Sequence, residues 1–332
     1  MYIRESLKMN KKKWLTVVMG TVLVIGACSP EEADEVSEGG SSEGENGEQE
    51  LSDEEAFPVT VEDARGEEIT IEEQPDNVIS LLPSNTELIY GLDAWDQLQA
   101  VTSNDDYPEK ASELPSVGDM VIDVEAVIAN EPDLVLGGAI NDPEALNQIE
   151  SAGIQVVVIE DTNTFEDFYR VVSTVGEVLG KNDEAGELIA SFEEEIERIE
   201  KISADIPEED RVSVWVEVGA DPDLFTTGSG TFVNEMLDVI GADNVAGDQE
   251  GWVQFSEEDA VTLNPDVIIL TYGAYVEDAR GDVLNRSAWQ SIPAVEHDRV
   301  YELEDSNIVT RQGPRLIEGV ETLAKFIYPD HY

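Results

Sequence analysis

An α/β fold of two lobes, each built on a mainly parallel sheet and joined by one long α-helix, is predicted by three observations. From Phe57 onward, short apolar runs rich in β-branched residues alternate with helical patterns, and continuous runs of that kind mark strands buried on both faces. In the middle of the chain, Ala185, Leu188, Ile189, Phe192, Ile196, Ile199 and Ile202 recur at helical spacing over about five turns, and Pro207 closes the pattern. The segments on the two sides of that helix resemble each other.

The chain opens with an address rather than a domain. Lys11, Lys12 and Lys13 form a basic start, and the apolar run at 14–27 is short for a membrane span and gives way at once to acidic sequence. The run ends in Ile25-Gly26-Ala27-Cys28, a pattern similar to a bacterial lipobox. Residues 1–27 therefore read as a lipoprotein signal peptide, with translation starting at Met1 or Met9 and Cys28 as the lipidated residue. Two or three acyl chains, at ~0.8 kcal/mol per buried CH₂, make a stable anchor where one would not. Cys28 is the only cysteine, so once lipidated it leaves no thiol for a disulfide or a metal. Residues 28–56 are Glu/Ser/Gly-rich, cannot bury enough apolar surface to fold, and are expected to act as an acidic, disordered tether.

Residues 57–181 are expected to form the N-terminal lobe, with strands at "NVISLL", "DLVLGG" and "IQVVVIE". Residues 182–207 are the bridging helix. Residues 208–332 form the C-terminal lobe, with strands at "VSVWVEV", "DVIILTYG" and "RVYEL". The repeat is visible at two places: "TELIYGLDA" (86–94) matches "NEMLDVIGA" (234–242) without gaps, and "EAVIANEPDLVL" (125–136) matches "EDAVTLNPDVII" (258–269). In both members of the second pair a Glu stands seven residues before a Pro-Asp that leads into an aliphatic strand. Two similar lobes on one helix leave a cleft between them, where strand-end loops from both sides address a shared ligand.

Charge excludes some partners. The 75 acidic residues against 18 basic ones give a formal net charge of −57, and after Ala56 there are still 62 acids against 13 bases. Such a surface repels nucleic acid and anionic lipid and destabilises the compact state unless salt screens it, which points to a saline medium. Thermal stability measured from low to molar salt is expected to rise with salt; a flat or falling curve removes that reading.

Catalytic readings find little support. The chain has two histidines, His297 and His331, no phosphate-binding Gly-x-x-x-x-Gly-Lys-Ser/Thr loop, and no Gly-x-Ser-x-Gly elbow at Gly228-Ser229-Gly230. The pair Asp105-Asp106 reads as solvated in so acidic a chain. No catalytic residue, metal site or cofactor is expected. The strand-end loops are better populated. "LLPSNTE", "TSNDDYP", "LFTTGSGTF", "GWVQFS" and "EDSNIVTRQGPRL" combine Asn, Ser and Thr with Tyr107, Phe225, Trp252 and the cation Arg311. That mixture suits a large, largely uncharged ligand, whereas an anionic ferric chelate calls for several converging Arg or Lys residues. Phe225 and Tyr107 as core aromatics, and Arg311 in a surface ion pair, are the bland alternatives.

With these residues in view, 59–329 is similar to the extracellular substrate-binding proteins of ABC importers for vitamin B12, haem and iron siderophores, and most to the B12-binding branch. The matching stretches are "VISLLPSNTELIYG", "DYP", "EPDLVL", "FTTGSGTF", "WVQFSEEDAV", "NPDVIIL" and "RQGPRLIEGVETLA". The resemblance implies two α/β lobes on a rigid bridging helix, with a corrinoid such as cobalamin held in the cleft. Ser84, Asn85 and Tyr107, on the strand-end loops, are expected to face the cleft, and the resemblance implies ligand contacts from Asn104, Phe225, Trp252, Asn307, Ile308, Val309, Thr310 and Arg311. Asn104 and Asp119, however, stand where a member of the B12 branch carries Tyr and Trp. The resemblance also implies that Glu125 and Glu258 dock onto arginines of a twofold ABC permease with its ATPase subunits. The chain is expected to work as a lipid-anchored monomer on the outer face of the cell membrane. A ferric siderophore or haem in the same cleft is the alternative ligand. A surface metal-dependent hydrolase is a remote third reading, disfavoured by the shortage of His.

Overall fold

The computed structural model describes residues 57–220 and 224–332; the signal peptide, Cys28 and the tether lie outside the described residues. The first half contains, in order, β1 (Val59–Glu62), β2 (Glu68–Ile71), β3 (Val78–Ser80), α1 (Pro83–Gly91), β4 (Leu98–Ala100), α2 (Val124–Ala129), β5 (Leu134–Gly138), α3 (Pro143–Ser151), β6 (Gln155–Ile159) and α4 (Phe165–Leu179). After α5 (Asn182–Ser203) come β7 (Ser213–Glu217), β8 (Leu224–Thr227), α6 (Phe232–Ile240), β9 (Asp243–Asn244), β10 (Trp252–Phe255) and α7 (Glu257–Leu263). The chain ends with β11 (Val267–Leu270), α8 (Ala279–Asn285), α9 (Pro293–Glu296), β12 (Val300–Glu302), α10 (Asn307–Thr310) and α11 (Leu316–Ile327).

The two main sheets are parallel and have the same order. In the first it is β4-β3-β5-β6; in the second, read from the other edge, it is β9-β7-β11-β12. The strands β3, β5, β6, β7 and β11 are apolar on both faces, as the sequence runs predict, while the edge strands β4 and β9 are not. Val78, Leu134, Leu136 and Val157 face one core while Ile79, Val135 and Val156 face another. Val214, Val216, Val267 and Ile269 join the same first core, and Trp215, Ile268 and Leu270 face a third. Period-two alternation between two apolar layers makes the register of each strand costly to shift.

α5 packs on α4, α6 and α11 and so connects the two halves. It buries Ala185, Phe192, Ile196 and Ile199, and each large side chain removed from water contributes about 1.5–3 kcal/mol. The Phe192 ring lies 5.4 Å from that of Phe165 on α4, which in turn meets Phe232 on α6 edge-on at 5.0 Å. The helix stops at Ser203, short of Pro207, because the chain turns at 204–206 to bury Ile206.

The sequence repeat has a backbone counterpart. α2 is capped by Asp123, which accepts from Ala126 N at 3.0 Å, and α7 by Ser256, which accepts from Asp259 N at 3.1 Å. Glu131 and Asn264, matched in the repeat, both take the left-handed conformation (φ 48° and 51°) that ends the helix. The repeated Pro-Asp then has a structural task. Asp133 accepts from Asp76 N and Asn77 N ahead of β3, and Asp266 accepts from Ser213 N at the start of β7.

Candidate ligand-binding cleft

Open parallel sheets present ligand loops at the carboxyl ends of their strands, and here those ends meet across the two lobes. Asp106, after β4, accepts from Asn307 Nδ2 at 3.2 Å and from Arg311 Nη1 at 2.6 Å. Gln312 holds Thr162, after β6, through both amide atoms, at 3.1 and 2.7 Å. Six of the eight exposed large apolar side chains among the described residues fall between a strand of a main sheet and the helix that follows it: Met120, Val121, Ile140 and Tyr275 on loops, and Phe225 and Trp252 on the short strands β8 and β10. Exposed apolar groups concentrated on such connections mark a binding surface more than a chance scatter would.

Phe225 and Trp252 share a platform. β8 and β10, expected as loops, pair as an antiparallel hairpin in which Trp252 lies opposite Thr227 and Gln254 opposite Phe225. Opposed residues of an antiparallel pair point the same way, as do alternate residues along a strand. Phe225 and Trp252 therefore stand on one face as diagonal neighbours, 36% and 56% exposed.

The floor of the junction is charged but internally neutralised. Glu87 of α1, 1% exposed, accepts from Arg311 Nη1 at 2.8 Å and from Arg315 Nε and Nη2 at 3.0 and 2.8 Å. Arg315 also donates to Asp305 at 2.6 Å, and its guanidinium lies 4.0 Å over the Tyr107 ring. Burial alone would lower both guanidinium pKa values, but Asp106, Asp305 and Glu87 outweigh it and hold them above the ordinary range. Asp105 is buried rather than solvated: its Oδ2 takes Thr102 N and Thr102 Oγ1, and burial pushes its carboxyl up. Close approach keeps the floor tight, since a Cβ on Gly313 would come 3.0 Å from Glu87 Oε2, and one on Gly91 2.9 Å from Pro314.

The predicted ligand residues fall into three groups. Trp252, Phe225 and Asn104 are exposed, and Ser84, Tyr107, Asn307 and Ile308 are half-buried at the junction. Arg311 is there too, but bound to Glu87 and Asp106 rather than free. Asn85 and Val309 are buried: Asn85 lines a small cavity beside Ser84, Thr162 and Gln312, with its Nδ2 donating to Leu136 O and Gly137 O at the end of β5, and Val309 belongs to the core. Thr310 is exposed and donates back to Ser306 O within α10. α1 begins at Pro83, with Leu82 before it and no side-chain cap. Glu87, Arg315, Met120, Val121, Ile140 and Tyr275 belong to the candidate site without having been singled out in the sequence, and Asp106, read there as solvated, pairs with Arg311. An apolar residue inside a polar strand-to-helix loop is the signal that marks Met120, Val121, Ile140 and Tyr275.

Glu125 and Glu258 are exposed and occupy the second position of α2 and α7. Matching caps, left-handed ends and Asp staples present them in the same way on the two lobes.

Two α/β lobes on one long helix, with exposed apolar side chains at their strand ends, define a two-lobed solute-binding protein. The chain belongs to the periplasmic binding protein family, whose sequence profile matches residues 78–306. It is 43% identical over 281 residues, 84% of this chain and 88% of the relative, to an uncharacterized ABC transporter substrate-binding lipoprotein, YvrC, of Bacillus subtilis (strain 168). It is 27% identical over 279 residues, 81% of this chain and 74% of the relative, to a cobalamin-binding protein of Halobacterium salinarum (strain ATCC 29341 / DSM 671 / R1). Among solved structures, that of a possible iron-binding (periplasmic solute-binding) protein from Staphylococcus epidermidis ATCC 12228 superposes with a TM-score of 0.68 at 29% identity, covering 77% of this chain and 100% of that one. The chain is thus a binding protein and not an enzyme.

Proposed function

We propose that the chain captures a corrinoid, cobalamin or a close relative, between its lobes and delivers it to the twofold permease of an ABC importer. The membership of the ABC substrate-binding lipoprotein group rests on the family match and the YvrC relationship. The choice of ligand rests on the chemistry of the strand ends: exposed apolar and aromatic side chains on connections of both lobes, and two guanidinium groups at the lobe junction that are already bound to carboxylates. An anionic ferric chelate or a haem propionate would have to displace those carboxylates, whereas a large, nearly neutral ring system buries its faces against the apolar side chains at no such cost. Met120 and Val121 adjoin Asp119, where a member of the B12 branch carries an aromatic wall, and offer apolar surface in its place. Cys28 carries the lipid anchor on the outer face of the membrane, and Glu125 and Glu258 meet the permease.

Trp252 is the natural reporter, since Trp215 and Trp289 are buried. Titration of the chain with cyanocobalamin is expected to quench its tryptophan emission saturably, and Trp252→Phe is expected to remove most of that response. Saturable quenching by haemin or a ferric hydroxamate, with none by cyanocobalamin up to high micromolar, would move the assignment to the haem and siderophore side of the family.

A further inference from the structure

We propose that Glu87 and Glu235 are positioning residues: a reciprocal pair of carboxylates that ties the two lobes together and sets the width of the cleft. The gapless match of 86–94 with 234–242 places Glu87 opposite Glu235, each at an equivalent point of the first helix after the first strand of its main sheet. Each carboxylate leaves its own lobe. Glu235 Oε2, from α6, accepts from Phe165 N at 2.6 Å, the first residue of α4. Glu87, from α1, lies against the backbone entering α11 at Gly313 and accepts from Arg315, the residue before that helix, and from Arg311. α4 and α11 are themselves equivalent, each the last helix after the last strand of its sheet. Each lobe therefore sends one carboxylate to the amino end of the other lobe's final helix, where the helix dipole favours negative charge.

The sequence around Phe165 leaves room for this. The start of α4 is closed by a capping box in which Thr164 accepts from Asp167 N and Asp167 accepts from Thr164 N. That box does not use the Phe165 N–H, one of the donors every helix start leaves unpaired, and Glu235 supplies its acceptor from across the junction. The two ties differ in strength. Glu87 is buried and shared by two guanidiniums, while Glu235 is half-buried and holds a single N–H. The Glu87 side is the fixed edge of the junction, and the Glu235 side is the one that yields. Neither residue is exposed, so both act on a ligand through the placement of the lobes.

The proposal rests on the two-lobe fold and not on the identity of the ligand, so it is tested without one. Cys28 is replaced by Ala in the full chain, and thiols introduced at Met120 and Tyr275, one on each lobe, carry nitroxide labels whose separation is read by double electron–electron resonance. Glu235→Ala is expected to broaden the distance distribution and shift it by about 2 Å or more, the scale of small interface movements. Glu235→Asp, which keeps the charge but shortens the reach, is expected to do the same. Glu235→Gln retains an oxygen acceptor and is expected to restore the parent distribution. An unchanged distribution in both Glu235→Ala and Glu235→Asp overturns the proposal. So does a Glu235→Gln protein as broad as Glu235→Ala, because the accepted hydrogen bond would then not be what holds the lobes.

Discussion

Replacing Glu125 and Glu258 together with Ala is expected to abolish uptake while leaving ligand affinity unchanged. Both side chains are exposed and form no ion pair among the described residues, so folding loses only their favourable placement in the first turn of α2 and α7, about 0.3–1 kcal/mol each. At a docked surface each carboxylate faces a cation, and truncating one member of a desolvated interfacial charge pair typically costs 2–5 kcal/mol. Two such losses amount to about 10³-fold or more in the productive complex, at about 1.4 kcal/mol per tenfold. Each single substitution should give an intermediate loss of transport, and the two should be similar, because caps, left-handed ends and Asp staples present the residues equivalently. Uptake of labelled ligand by cells expressing the double variant, set beside the quenching titration of the same protein, checks both halves of the expectation. Undiminished uptake would remove the docking assignment.

The fold was legible where burial makes a strand continuous and long. "DLVLGG", "IQVVVIE" and "VSVWVEV" stand out because β5, β6 and β7 are covered on both faces. β4 and β9 are edge strands of three and two residues, too short for any pattern to declare them. β8 and β10 were hidden by composition, since "LFTTG" and "GWVQFS" carry the Thr, Gly and Ser of a loop, and their pairing is a long-range contact. Of the candidate site, the aromatic pair was legible, as Phe225 and Trp252 are rare residues among polar neighbours. The floor of the junction was not. In a chain of 75 acids nothing local separates Glu87 from a solvated glutamate, and only the fold brings it against Arg311 and Arg315, more than two hundred residues away. Arg311, read either as a ligand contact or as a surface ion pair, is held by Glu87 and Asp106, partners that no local pattern declares.

Glu87→Ala is expected to be the most destabilising single substitution at the junction. Glu87 and Arg315 are both almost fully buried, and Arg311 nearly so. Whether such a cluster stabilises relative to an apolar one is a separate matter; removing one member of a buried pair leaves an uncompensated charge and typically costs 3–5 kcal/mol. Asp106 and Asp305 remain to satisfy part of each guanidinium, which places the expected loss near the lower end, about 3 kcal/mol. For a folded part of this size that corresponds to a fall in Tm of roughly 6 °C or more. Glu87→Gln keeps one acceptor and the packing, and should lose clearly less. Adding Arg315→Met to Glu87→Ala removes a stranded cation, so the double variant should be more stable than the two single losses predict, with a coupling above about 1 kcal/mol. Denaturation midpoints of the parent, the three single variants and the double variant decide the matter. If Glu87→Ala melts within a degree of the parent, or the losses simply add, the buried cluster does not hold the lobes together, and the junction rests on the apolar contacts of Phe165, Phe192 and Phe232 with the Gln312–Thr162 and Glu235–Phe165 hydrogen bonds.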